Sequence, residues 1–191
     1  ALRSDLFKEV MVSTDCEEIK EVSVKYGATV PFMRSNENSD DFATTVDVVN
    51  EVLEKYQTQG RYFARVCVLY PCAPFVESID LVNGFKALDQ YESIIPVVSF
   101  DFPPLRSFII QGSYLTYRWP DFEKARSQDL EKLYHDAGQW YFFNHYGENH
   151  DSLVKKNTAP MILENARVQD IDTPADWKLA ELKFKVLNEN I

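Results

Sequence analysis

Short apolar runs alternate with stretches of helical apolar spacing over the first half of the chain. The runs, such as A-R-V-C-V-L-Y at 64–70, are typical of strands that are buried on both faces of a sheet. Between the runs, apolar side chains recur at the i, i+3, i+4 spacing of amphipathic helices. The predicted strands are 9–13, 28–33, 64–70 and 93–98, and the predicted helices are 17–26, 44–56 and 78–88. This alternation predicts crossover connections and an α/β fold with a mostly parallel sheet.

The pattern changes after Ser99. Residues 100–122 are rich in aromatic side chains and proline, and no crossover helix is predicted there. The segments 108–110 and 114–117 flank Q-G-S, which predicts a β-hairpin. We therefore interpret about 100–136 as a small β-rich insertion that contacts a second subunit.

The remaining pattern predicts a strand at 138–144 and a last helix at 174–187. Because the sequence has no internal repeat, linker or low-complexity tract, we expect residues 1–191 to form one domain.

Charge and cysteine content narrow the class of protein. Twenty basic and 30 acidic residues give a net charge of −10, which argues against a general binder of nucleic acids or membrane surfaces. No apolar run approaches the ~18 residues of a membrane span. The three cysteines form no C-x-x-C pair, so we expect reduced thiols and a cytoplasmic protein.

Topology predicts where a ligand binds. In parallel α/β sheets, ligands bind beyond the carboxyl ends of the strands. This rule places the segments 13–15 and 71–74 at the functional edge.

An acidic pair near the C-terminus is the main candidate for chemistry. In an extended segment, Asp170 and Asp172 point to one face, while Ile171 points into the protein. Thr173 and Pro174 then signal the start of a helix, at which the pair would form a rigid lip. Carboxylate oxygens suit Mg²⁺, which is usually bound by one or two carboxylates plus substrate phosphates. The alternative is a solvated D-x-D in a loop.

Four longer motifs carry a resemblance to a known family. They are V-S-T-D at 12–15, D-D-F-A-T-T at 40–45, R-S-Q-D-L-E-K-L-Y-H-D-A-G at 126–138 and V-Q-D-I-D-T-P-A-D-W-K-L-A-E-L-K at 168–183. In this order and spacing the chain resembles the bacterial pseudaminic acid cytidylyltransferases, which are relatives of the CMP-sialic acid synthetases. The resemblance implies a Rossmann-like three-layer α/β/α nucleotidyltransferase fold and a homodimer formed through the insertion.

The resemblance also implies a reaction. CMP is transferred from CTP to the anomeric hydroxyl of a nine-carbon sugar acid, and pyrophosphate is released. Such a transfer depends on positioning and charge neutralisation, with Mg²⁺ as the cofactor.

Site residues follow from the matched motifs. Asp170 and Asp172 match the metal ligands and are assigned to catalysis together with Arg126. Arg126 is a candidate for binding the sugar carboxylate, or else it forms a salt bridge with a neighbouring acid. The nucleotide-binding candidates are Ser13, Thr14 and Asp15, and the alternative for them is a simple strand-to-helix turn. The sugar-binding candidates are Arg106, Gln128, His135, Asp136 and Tyr141; for Arg106 the alternative is a surface position, for Tyr141 the core, and for the others a structural hydrogen bond.

Two departures from the family pattern affect the interpretation. The basic A-R-x-x-S-K-R loop with which the family begins is absent, which leaves an inactive nucleotide-sugar-binding or dimerisation fragment as an alternative. The segment Y-P-C-A-P at 70–74 replaces the Q-P-T-S-P of sialic acid relatives, which favours pseudaminic acid over N-acetylneuraminic acid. The same reaction on N-acetylneuraminic or legionaminic acid stays open, whereas a D-x-D phosphatase is disfavoured because its acidic pair should lie near the start of the chain.

Overall fold

Helices cover both faces of one central sheet in the computed structural model, which describes residues 1–188. The helices are α1 (Glu17–Lys25), α2 (Thr45–Thr58), α3 (Ser78–Ala87) and α4 (Pro174–Asn188). The strands are β1 (Arg65–Leu69), β2 (Ser93–Ser99), β3 (Phe108–Gln111), β4 (Tyr114–Tyr117), β5 (Tyr134–Asp136), β6 (Trp140–Asn144) and β7 (Thr158–Ile162). The predicted three-layer α/β/α arrangement and all four helices are confirmed, whereas β5 and β7 were not predicted.

A mostly parallel sheet is not confirmed, because most strand pairs are antiparallel. β6 lies between β1 and β2 and is antiparallel to both, and β5 is also antiparallel to β2. β7 pairs with β2 in parallel. The prediction was wrong because β6 follows the hairpin without a crossover helix and re-enters the sheet in the opposite direction. Since β1, β2 and β7 still run in one direction, their carboxyl ends lie at the same edge.

The predicted strands 9–13 and 28–33 are reduced to one parallel bridge between Met11 and Thr29. The Thr29 amide donates to the Val10 carbonyl, and the Val12 amide donates to the Thr29 carbonyl. The next rung on one side would need an amide hydrogen from Pro31, which proline lacks. Both predictions were therefore too long.

Side chains of β6 alternate between two apolar cores, as the twofold period of a strand requires. Tyr141 and Phe143 pack with Val49 of α2 on one face. Trp140 and Phe142 pack with residues of α3 on the other face. At Gly84 of α3, a built Cβ would lie 2.8 Å from the Trp140 ring, so only glycine fits this approach.

The predicted hairpin is confirmed as β3 and β4, which form a separate two-stranded sheet. β5 falls inside the predicted insertion at about 100–136, yet it belongs to the central sheet. No helix within residues 1–188 combines the length and the apolar character needed to cross a membrane.

Candidate active site

The acidic pair lies at the shared carboxyl edge, between β7 and α4. Asp170 and Asp172 belong to no strand. Their exposure still alternates as predicted, because both aspartates are exposed and Ile171 is half-buried. Within residues 1–188, no hydrogen bond or ion pair occupies either carboxylate. The oxygens of both side chains therefore remain available to a ligand.

The start of α4 confirms the predicted helix signal. The Thr173 hydroxyl accepts from the Asp176 amide at 3.3 Å, and an Asp176 carboxylate oxygen accepts from the Thr173 amide at 2.8 Å. The same carboxylate oxygen accepts from the Asp172 amide at 3.3 Å. The hydrogen bonds from Thr173 lower the pKa of the Asp176 carboxyl.

Arg167, which precedes the acidic pair, connects it to two other elements. Its Nη2 donates to Asp80 Oδ2 at 2.5 Å and lies 3.4 Å from Glu77 Oε2, both at the start of α3. The carbonyl of Arg167 accepts from Gln139 Nε2 at 2.7 Å. Sequence reasoning missed this contact, although Arg167 directly precedes the motif at 168–183.

Asp136 forms a tight turn beside the acidic pair. Its Oδ1 accepts from the Gly138 amide at 2.8 Å, and its Oδ2 accepts from the Tyr141 hydroxyl at 2.7 Å. Gly138 has a φ of +61°, which favours glycine. A Cβ built on Gly138 would lie 3.9 Å from Asp170 Oδ2. The structure therefore brings three predicted site residues together, namely Asp136, Tyr141 and Asp170.

Tyr141 combines a buried ring with a polar contact. Its side chain belongs to the apolar core, as the alternative interpretation had it, while its hydroxyl reaches Asp136. Burial, reinforced by the hydrogen bond to Asp136, raises the pKa of the Tyr141 phenol above its usual range. The ring lies 5.2 Å from that of Tyr70, whose hydroxyl is 3.0 Å from Thr45 Oγ1. Tyr70 and Thr45 were not predicted as site residues, although Tyr70 ends the apolar run 64–70 at the functional edge.

His135 lies next to this turn and is exposed on β5. Its Nδ1 donates to the Asp136 carbonyl at 2.8 Å, and its ring centroid lies 4.8 Å from that of Phe100.

Arg106, Arg126 and Gln128 form a second group. Arg106 is half-buried rather than fully exposed, and its Nη1 donates to Ser127 Oγ at 3.4 Å. Its buried Nε has no hydrogen-bond partner among the residues that the structure describes. Arg126 and Gln128 are exposed beside Ser127. Over residues 1–188, no hydrogen bond or ion pair joins this group to Asp170 or Asp172.

Ser13, Thr14 and Asp15 form a third group, before α1. Thr14 is buried, and its hydroxyl accepts from the Cys16 amide at 3.1 Å. Arg34 was not predicted, yet it donates from Nε to Ser13 Oγ at 3.1 Å and from Nη2 to the Ser13 carbonyl at 2.5 Å. It directly follows the predicted strand 28–33, so the topological rule could have identified it. The contact brings a positive charge next to the predicted nucleotide-binding residues.

The donor set at the acidic pair fits a hard divalent cation that keeps water and phosphate ligands. No group of three or more His, Cys, Asp or Glu side chains within residues 1–188 could hold a metal ion. Mg²⁺ does not need such a cage, because it is usually bound by one or two carboxylates and by substrate oxygens. The pair Asp170 and Asp172 supplies two exposed carboxylates of this kind.

In α/β folds, ligands bind at the carboxyl edge of the strands, and a Mg²⁺ ion bound by one or two carboxylates is usually shared with substrate phosphates. The family model described as Cytidylyltransferase matches residues 1–152. The chain belongs to the cytidylyltransferase family and thus to the nucleotidyltransferases.

Two relatives show how closely this chain follows individual members. It is 36% identical over 194 residues to the pseudaminic acid cytidylyltransferase of Campylobacter jejuni subsp. jejuni serotype O:2, an alignment that covers 100% of this chain and 84% of the relative. It is 31% identical over 202 residues to the CMP-N,N'-diacetyllegionaminic acid synthase of Legionella pneumophila, covering 99% of this chain and 83% of the relative.

Among solved structures, the chain is similar to a CMP:2-keto-3-deoxy-manno-octonic acid synthetase complexed with CTP. The TM-score is 0.63 with 14% identity, and the match covers 98% of this chain and 84% of the other. At this identity the likeness establishes the fold alone.

Proposed function

We propose that this protein transfers CMP from CTP to the anomeric hydroxyl of pseudaminic acid and releases pyrophosphate in a Mg²⁺-dependent reaction. The exposed carboxylate pair Asp170 and Asp172, at the carboxyl edge of the sheet, is the observation that carries the proposal. The 36% identity to a pseudaminic acid cytidylyltransferase supports the choice of sugar.

The transfer is a direct displacement at the α-phosphorus. The anomeric oxygen forms a bond to phosphorus, the bond to the pyrophosphate oxygen breaks, and the hydroxyl proton leaves to solvent. No covalent protein intermediate is needed, so the contribution of the protein is positioning and charge neutralisation. Bound Mg²⁺ would neutralise phosphate charge and steady the reacting oxygens. Asp170 and Asp172 would hold the cation.

The nucleotide is assigned to the segment before α1. Ser13, Thr14 and Asp15 remain the candidates, and Arg34 joins them because it donates two hydrogen bonds to Ser13. An arginine beside hydroxyl groups suits a phosphate or a nucleotide ring. With a net charge of −10, a local positive charge of this kind matters for an anionic substrate.

We assign binding of the sugar to two places, the turn at Asp136 and the group formed by Arg106, Arg126 and Gln128. His135, Asp136 and Tyr141 would line the side of the sugar that faces Asp170, since the Gly138 turn lies against that carboxylate. Arg106, Arg126 and Gln128 would approach from the turn after the hairpin. A planar guanidinium matches the sugar carboxylate, which favours Arg126 because it is exposed and free of ion pairs within residues 1–188.

A panel of sugar acids tests the substrate directly. With saturating CTP and Mg²⁺, we expect pyrophosphate release to be fastest with pseudaminic acid and to stop when EDTA is added. Faster turnover of legionaminic or N-acetylneuraminic acid would contradict the choice of sugar. If none of the three sugar acids supports pyrophosphate release, the proposed reaction is contradicted.

The homodimer is proposed through the hairpin of β3 and β4. Ile110 is 77% exposed there, and its cross-strand partner Leu115 and its neighbour Phe108 are exposed on the same face of the hairpin. Apolar side chains on a small hairpin are stabilised when a second copy covers them. We expect Ile110→Asp to shift the protein toward the monomer in sedimentation experiments, while Glu148→Gln, in the loop after β6, leaves the mass unchanged. A monomeric wild type would contradict this proposal.

A further inference from the structure

The loop that carries the acidic pair is attached to α4 at both of its ends. At its C-terminal end, Asp176 accepts from the amides of Asp172 and Thr173. At its N-terminal end, Lys183 Nζ donates to the Val168 carbonyl at 2.6 Å and to the Asn165 carbonyl at 3.3 Å. One helix therefore holds both ends of the short segment in which Asp170 and Asp172 lie.

This attachment matters because the segment has no ladder to hold it. Residues 168–173 belong to no strand, so side chains must supply the order that a sheet would otherwise give. The Val168 carbonyl lies two residues before Asp170, or roughly 7 Å along an extended chain. A shift of this carbonyl would therefore be transmitted to the carboxylate.

The side chain of Lys183 has the chemistry needed to hold this segment in place. An ammonium group has three donors and no acceptor, and two of the donors are used on backbone carbonyls. The residue is half-buried, and burial lowers the pKa of its ammonium group. The stem of the side chain thus packs against protein while its charged end remains bonded to the loop.

We infer that Lys183 is a positioning residue that orients Asp170 and Asp172 for a divalent cation. The inference rests on the proposed function, since it assumes that the pair holds the cation. Groups that orient metal-binding carboxylates act through the geometry of the ligands, and their loss typically weakens metal affinity about 10-fold or more. A role limited to attaching α4 to the sheet would instead change stability and leave metal affinity unaltered.

Binding of Mn²⁺ in the presence of CTP, followed by electron paramagnetic resonance, separates these roles without an activity assay. We expect Lys183→Met to weaken Mn²⁺ binding about 10-fold. Lys183→Arg keeps the donors and should retain most of the affinity. Lys185→Met, an exposed position on the same helix, is the matched control and should leave binding unchanged.

Hydrogen exchange of the metal-free protein gives a second readout. We expect amides in 168–173 to exchange faster in Lys183→Met than in Lys185→Met, while α2 and α3 keep their protection. If Lys183→Met lowers the melting temperature but leaves Mn²⁺ binding unchanged, the positioning role is refuted.

Asp170→Asn distinguishes this failure from failure of the proposed function. If Asp170→Asn abolishes Mn²⁺ binding and Lys183→Met does not weaken it, only the positioning role falls. If Asp170→Asn binds Mn²⁺ like the wild type, the proposed metal-binding role of the pair is refuted, and the inference about Lys183 is refuted with it.

Discussion

Removal of the Tyr141 hydroxyl tests the turn at which the predicted sugar residues meet the acidic pair. In Tyr141→Phe the ring stays in the core, but the 2.7 Å hydrogen bond to Asp136 Oδ2 is lost. A hydrogen bond to a charged group contributes about 1.5 to 3 kcal/mol. Because Asp136 is exposed, water can replace the hydroxyl, so we expect the lower end, about 1.5 kcal/mol.

Thermal and urea unfolding measure this loss. For a chain of this length, about 1.5 kcal/mol corresponds to a fall in Tm of about 3 to 6 °C. Tyr70→Phe is the matched control, because it removes a neighbouring hydroxyl whose partner is the uncharged Thr45 at 3.0 Å. A neutral bond of this kind contributes about 1 kcal/mol on average, which is less than a bond to a charged group.

A double-mutant cycle with Asp136→Asn assigns the effect to the pair. We expect a coupling of at least about 0.5 kcal/mol between Tyr141→Phe and Asp136→Asn, since the residues are in contact. The reasoning is refuted if the two changes are additive, or if Tyr141→Phe costs no more stability than Tyr70→Phe.

Three further changes test the fold. Gly84→Val should destabilise the protein by about 1 to 3 kcal/mol in urea unfolding, because its Cβ meets the Trp140 ring at 2.8 Å; wild-type stability would contradict the close approach. Thr173→Ala should lower the free energy of unfolding by about 1 kcal/mol through loss of the helix cap, whereas Thr173→Ser should retain it. Burial lowers the pKa of His150 to about 4, below the ~6.5 of an unfolded chain. Between these two pH values the unfolded chain therefore binds more protons than the folded chain, so stability should fall as the pH drops from ~6.5 toward 4. His150→Phe should flatten this dependence of stability on pH. An unchanged dependence would contradict the lowered pKa of His150.

Periodicity predicted the helices well, because each has a distinct apolar face or a recognisable end signal. The start of α4 is the clearest case, since Thr173, Pro174 and Asp176 act locally and need no tertiary partner. The direction of a strand cannot be predicted from periodicity in the same way. The run W-Y-F-F-N of β6 is equally compatible with a parallel and an antiparallel strand. Only the path of the chain through the hairpin decides which pairing forms.

The candidate site was predictable in part for a similar reason. Topology and motifs predicted Asp170, Asp136 and Tyr141 as site residues, and the fold brings these three together. Lys183 was missed because its contacts join segments distant in sequence, and its position does not differ in pattern from an ordinary surface charge. Arg34 was missed although it directly follows the predicted strand 28–33, where the topological rule expects ligand-binding residues.

The central claim is that Asp170 and Asp172 hold the divalent cation on which cytidylyl transfer depends. The most direct test is the rate of pyrophosphate release from CTP and pseudaminic acid over a Mg²⁺ titration. We expect Asp170→Asn and Asp172→Asn each to lower the rate at least about 100-fold, while the exposed Glu181→Gln on α4 keeps the wild-type curve. A wild-type rate and Mg²⁺ dependence in Asp170→Asn and Asp172→Asn would contradict the claim.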